Sequence, residues 1–174
     1  KMVFKTGDAN KKVLELVEYA KTHPKCSALV LLDPFGMQLD WSTIKALQAI
    51  KHLDLWILVP SGVIINRLLK RDGEIMYPEN LTRFFGMSEN ELKSYFYERQ
   101  VEQTLFGNDV RIRKAKNAIE RIAQLYVDRL KTLFEYVTEK PLVLRNSTKC
   151  PIFHFVFASH NETGLKIASQ IVGK

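Results

Sequence analysis

Two apolar runs constrain this chain most: "ALVLL" at Ala28–Leu32 and "LDLWILVP" at Leu53–Pro60. Neither shows the strict apolar–polar alternation of a half-solvated strand, so each is expected to be buried on both faces, as in a parallel sheet. Between them Trp41, Ile44, Leu47 and Ile50 recur at helical spacing. A strand, a helix and a second strand in that order predict a parallel βαβ unit. Upstream, Met2–Lys5 reads as a short strand, Thr6–Asn10 as a turn able to cap a helix, and Val13–Tyr19 as the helix it caps.

Downstream the texture changes. Ser61 to Gly107 is rich in aromatic and charged residues and is punctuated by Gly73, Pro78 and Gly86. Short helices, inserted at about 61–109 as a cap over the sheet, are the expectation. A long helix is expected from Val110 to Thr138, with Ile119, Ile122, Tyr126, Leu130, Leu133 and Val137 on one face. "PLVLRN", "STKCP" and "IFHFVFAS" then read as strand, turn and strand, a β-hairpin, and Gly164–Val172 as a closing helix.

The 174 residues suffice for a single domain, and 46% hydrophobic with 26% charged residues fits a globular protein. A net charge of +7 leans toward a polyanionic partner such as nucleic acid. Cys26 and Cys150 form neither a zinc spacing nor a disulfide framework, which points to a reducing cytoplasm. No apolar run reaches the ~20 residues that span a bilayer, and no signal-peptide pattern is visible. The histidines and cysteines show no metal-ligand spacing.

The chemistry concentrates where strands end. In open α/β sheets ligands sit beyond the carboxyl ends of the strands. Two acids occupy such positions, Asp8 after "VFKTG" and Asp33 after "LVLL". Pro34 forces the chain out of the sheet, Phe35 offers a flat ring beside the carboxylate, and Gly36 permits a tight turn. A carboxylate, a rigid turn and an aromatic face can together bind a planar, amine-bearing ring. The alternative for either acid is a helix cap.

"GDAN", "LLDPFGMQLDW", "DLWILVPSG", "NRLLKRDG" and "FHFVFASHNETGLKIA" together resemble the three-Cys-motif partner protein family, from about Gly7 to Ile171. Members are bacterial proteins encoded beside a radical-SAM-like protein with a three-cysteine motif, and that protein is the partner the resemblance implies. The family is similar to class I S-adenosylmethionine-dependent methyltransferases. That implies a Rossmann-like sheet, mostly parallel with a C-terminal antiparallel hairpin, in strand order 3-2-1-4-5-7-6. It also implies that the first strands and the glycine-rich cofactor loop lie upstream of this chain. By the same resemblance Gly7, Asp8 and Ala9 would contact the cofactor's adenine. Asp33 would accept from the target amine, Pro34 would supply a carbonyl, and Phe35 would stack on the base. The motif here is Asp-Pro-Phe where those amino-methyltransferases carry Asp-Pro-Pro-Tyr, and no glycine loop precedes Gly7. Without that loop the chain is expected to bind S-adenosylmethionine poorly or not at all. The strand that ends at Asp33 is then expected to have an open edge, filled by another chain as in a homodimer, by a rearranged Met2–Lys5 strand, or by residues upstream.

Three further groups carry possible chemistry. Arg67, Lys70 and Arg71 could hold phosphate, with Arg67 and Arg71 on one helical face, or be a solvated face. Arg111–Lys116 ("RIRKAK") is the densest basic run. Phe84–Phe85 and Tyr95–Tyr97 read as core rather than as base-stacking platforms. His154 reads as structural, and His160 as a turn residue or a functional one. Ser159 belongs to no nucleophile elbow. Methyl transfer to an amine of a nucleic-acid base is the first functional expectation. A non-catalytic adaptor of the three-cysteine protein is the second. A nuclease is disfavoured, because no carboxylate set for metals is visible.

Overall fold

The computed structural model describes residues 4–104 and 107–173. The expected strand at Met2–Lys5 lies largely outside them, and Phe4 and Lys5 carry no regular structure. The chain begins its folded part with α1 (Ala9–Thr22), whose Val13, Val17 and Ala20 are buried. Then come β1 (Ser27–Leu32), α2 (Trp41–Leu47) and β2 (His52–Val59). β1 and β2 are parallel, Val30 lying opposite Leu55, so the expected βαβ unit is present. The remaining elements are α3 (Asn66–Leu68), α4 (Pro78–Phe85), α5 (Glu89–Phe96), β3 (Tyr97–Thr104), β4 (Gly107–Lys114), α6 (Ala118–Lys131), β5 (Tyr136–Val137), β6 (Leu142–Arg145), β7 (Pro151–Ser159) and α7 (Glu162–Val172).

This is a mixed α/β fold on a five-stranded sheet. β1, β2 and β7 are adjacent, and β5 and β6 share the far edge of β7. β6 and β7 form the expected antiparallel hairpin, and α7 is the expected closing helix. The strand directions agree with the expectation of a mostly parallel sheet in part. β1, β2, β5 and β6 all run the same way and β7 alone runs against them, but β7 lies between β2 and the β5/β6 edge, so β1–β2 is the one parallel pair among the described residues. The physical reason lies in the connections: β5 is reached from β2 through the long crossover that ends in α6, which keeps the strand direction, whereas a short turn from β6 sends β7 back against it. Between β5 and β6 the edge of β7 is completed by a side chain. The Thr138 hydroxyl accepts from the Phe157 N–H at 2.8 Å, and the Thr138 N–H donates to the Phe157 carbonyl at 3.0 Å.

The core lies against one face of the sheet. Val30 and Leu32, Leu53, Leu55, Ile57 and Val59, and Val156 and Ala158 meet the buried faces of α1, α2 and α6 there. On the other face Trp56 stacks on Phe155 with ring centroids 4.5 Å apart, and α7 covers the region of Phe157. Leu29 and Leu31 remain 74% and 64% exposed on that face, so β1 is not buried on both sides as its unbroken apolar run implied. Among the described residues β1 pairs with β2 alone, and its outer edge is open.

The middle segment departs furthest from expectation. α4 and α5 are the short helices foreseen, and Phe84, Phe85 and Phe96 are core as expected. α5 starts on a reciprocal cap in which Ser88 and Glu91 each satisfy the other's backbone N–H. Tyr97–Thr104 and Gly107–Lys114, however, form an antiparallel two-stranded arm, β3–β4, separate from the main sheet. The long helix therefore starts at Ala118 rather than Val110, after Asn117 in a left-handed conformation, and ends at Lys131. Arg129 locks α4 to α6: its guanidinium donates to the Phe85 and Gly86 carbonyls and lies 4.7 Å from the Trp41 ring centre.

Candidate functional site

The candidate site is built where β1 ends. Leu32 is its last residue, and Pro34 (φ −71°, ψ 111°) keeps the backbone extended past Asp33. The chain then turns sharply: Gly36 (φ 66°) and Met37 (φ 65°) are both left-handed. Glycine accepts that conformation freely, whereas methionine holds it only under constraint. The constraint is visible: the Met37 side chain is 3% exposed, so its burial pulls the backbone inward while Phe35, 87% exposed, is left outside.

The start of α1 is held against this turn by Asn10. Its Nδ2 donates to the Gln38 carbonyl at 2.7 Å. Its Oδ1 accepts from the Asp40 N–H at 3.0 Å and from the Thr43 hydroxyl at 2.8 Å. One amide thus ties α1 to the entry of α2. Sequence reasoning saw Asn10 only as part of a capping turn; its long-range role had no local signature. The result is a hollow of about 310 Å³ lined by Gly7, Asp8, Ala9, Leu32, Asp33, Pro34, Phe35, Gln38 and Leu39. All six residues expected at the cofactor and amine positions line it, although they come from segments far apart in sequence.

Their states differ. Asp8 caps α1, accepting from the Lys11 N–H at 2.9 Å, so the capping alternative holds for that carboxylate. Asp33 is exposed and caps no helix, because α2 begins after Asp40. Asp33 lines the hollow as an exposed residue, with the exposed Phe35 two residues on. That arrangement offers an acceptor and a ring face to a planar donor. Among the described residues Gly7 is the one glycine in the lining of the hollow.

Arg67, Lys70 and Arg71 are not brought together as expected. α3 ends at Leu68, so Arg67 and Arg71 do not share a helical face. Lys70 is committed to Glu74, with Nζ 2.5 Å from the carboxylate. Arg67 and Arg71 are exposed. His160 is half-buried beside Phe134, its Nε2 3.0 Å from the Gln48 carbonyl. Ser159 Oγ lies 2.9 Å from the Leu53 carbonyl and 2.8 Å from an Asp54 oxygen, a structural link between strands. The closest approach of a hydroxyl to an imidazole in the core is Ser61 Oγ to His154 Nδ1, 2.7 Å. Both are buried and no carboxylate hydrogen-bonds the ring among the described residues, so no triad forms. Burial holds the His154 imidazole below its usual pKa, keeping it neutral. A larger groove, about 610 Å³, lies between α7 and residues 138–143 and carries only Glu139 and Lys140 as charged residues. Among the described residues no cluster of His, Cys, Asp or Glu could hold a metal ion, and no helix is long and apolar enough to cross a membrane. No family model, no curated protein and no solved structure matches the chain.

Proposed function

We propose that this chain is the substrate-recognising part of a methyltransferase-like protein of the three-Cys-motif partner kind, acting on the amine of a nucleic-acid base. The observation that carries the reading is the hollow in which Gly7–Ala9 meets Asp33–Phe35. In this reading Asp33 accepts from the amine, the Pro34 carbonyl accepts a second amine hydrogen, and Phe35 stacks on the ring. Gly7–Ala9 forms the opposite wall. The strand order supports it too: β1, β2, β7 and the shared β5/β6 edge run as positions 4-5-7-6 of the methyltransferase sheet. S-adenosylmethionine, if bound, supplies the methyl group. Its methionine end requires a glycine loop beyond the described residues.

The test is calorimetric titration of S-adenosylmethionine into the protein at the full length its gene encodes, followed by transfer of labelled methyl to DNA and RNA. The reading expects heat on titration and label on the polynucleotide, with incorporation reduced at least ~100-fold in Asp33→Ala, the scale of losing a positioning contact. Heat without any incorporation on either polynucleotide would overturn the assigned substrate. No heat would overturn the enzyme. A second reading is favoured by Leu29, Leu31 and Phe35, which stand exposed beside an unpaired strand edge. They suit a non-catalytic adaptor that docks the three-cysteine protein. Retention of the chain on that protein, lost in Leu31→Lys and unaffected by Asp33→Ala, would select it.

A further inference from the structure

The β3–β4 arm absorbs a motif that the candidate site does not use. Its base is clamped to the turn at residues 66–74. Lys114 Nζ donates to the Asn66 and Leu69 carbonyls at 2.5 and 2.7 Å, and the Tyr97 hydroxyl donates to the Glu74 carbonyl at 2.8 Å. Ile112 packs directly on Gly73, where any Cβ would come within 2.7 Å of its methyl. Tyr97, Ile112 and Lys114 lie on one face of the ribbon, because cross-strand partners share a face and side chains alternate. Arg99, opposite Ile112, lies on that face as well, as does the Val101–Val110 pair. The clamp therefore puts the turn that carries Arg71 against the face that carries Arg99.

Two acids share this base with the arginines: Asp72, which accepts from the Glu74 N–H at 3.1 Å, and Glu74 itself. Glu74 pairs with Lys70, and Glu98, on the opposite face, is 4.0 Å from Arg121. Arg67, Arg71 and Arg99 are exposed. Burial, and then the charge of Arg71, hold the Lys114 ammonium below its usual pKa, which places positive charges close together at this base. Val101, Val110 and Ile112 are 62%, 59% and 48% exposed, an apolar stripe running out along the same face.

We propose that this face of the arm, with the turn that carries Arg71, binds double-stranded DNA, the ribbon entering the major groove. A two-stranded β-ribbon matches a groove of about 12 Å width, whereas the deep, narrow major groove of an RNA duplex excludes it. Each strand has eight residues, roughly 26 Å at ~3.3 Å per residue, enough to reach the groove floor. Arg71 and Arg99 meet phosphates, which fix position, and the Val101–Val110 pair meets base edges such as the thymine methyl. The arm belongs to the segment that follows β2 in the chain. The inference supplies the polynucleotide contact that the proposed function needs, and it holds without methyl transfer.

Fluorescence anisotropy with a labelled 20-base-pair DNA duplex, the matching RNA duplex and the single strand, with no cofactor present, tests it. Binding of the DNA duplex is expected to exceed that of the RNA duplex. The double variant Arg71→Glu/Arg99→Glu is expected to bind at least ~10-fold more weakly and to flatten the plot of log affinity against log salt by about 2. Both residues are exposed, and an unchanged melting temperature establishes that the variant is folded. Unchanged DNA affinity in that variant, equal affinity for the RNA duplex, or no duplex binding together with self-association through Val101 and Val110, would each overturn the inference.

Discussion

At the residue scale, conformations that side chains tolerate badly are informative. Lys149, in the turn between β6 and β7, has φ 61° and an exposed side chain. Lysine resists the left-handed region by ~1–2 kcal/mol, and glycine does not. Lys149→Gly should therefore stabilise the protein by about 0.5–1 kcal/mol after the entropic cost of glycine, read as a higher melting temperature. His154 gives a pH dependence. Its folded pKa is below its ordinary 6.5, chiefly by burial, with Glu120 raising it and Arg145 lowering it by smaller amounts. Between the lowered folded value and 6.5 the unfolded chain binds the extra proton. The stability that neutral His154 contributes is thus present above pH 6.5 and lost as pH falls below it. The advantage of the wild type over His154→Asn in denaturant melts should be larger at pH 7.5 than at pH 5.5. An advantage that grows on acidification would refute the assignment.

At the scale of elements, what could be read from sequence followed where each element buries its side chains. α1, α2, β2 and the β6–β7 hairpin were legible because each has a core face: Leu53, Leu55, Ile57 and Val59 are all at most 1% exposed. The β3–β4 arm was not, because the Val101, Val110 and Ile112 that would mark a strand all face solvent. Its charged residues read instead as the solvated face of a helix. β1 misled in the opposite direction: Leu29 and Leu31 continue the apolar run without being buried. The Asp33 turn was legible through its Pro-Phe-Gly wording, whereas Asn10, which holds the opposite wall, makes contacts about thirty residues away and left no local pattern. The stitch at Thr138 was equally invisible, and it is testable. Thr138→Val removes a hydroxyl that satisfies a buried N–H on β7 and should cost ~1–3 kcal/mol in urea melts, with Thr138→Ser retaining most of it. Equal stability of all three would show that water or a shifted strand replaces the bond.

For the whole molecule, the open edge of β1 is the feature with the widest reach. Ser27–Leu32 contains no charge, proline or bulge, the devices that usually guard an unpaired strand. A homodimer joined along this edge is therefore a proposal with a direct measurement. Sedimentation should show concentration-dependent self-association that Leu29→Lys/Leu31→Lys abolishes while the melting temperature is kept, since both side chains are exposed. An unaltered association constant in that variant would move the contact elsewhere. The turn beyond this strand has a different kind of reach. Since Gly36 and the buried Met37 hold the loop in shape, the ring at position 35 rests on scaffolding to which it contributes nothing. Evolution, or a protein engineer, could exchange that ring for another and retune what the molecule prefers without disturbing how it folds.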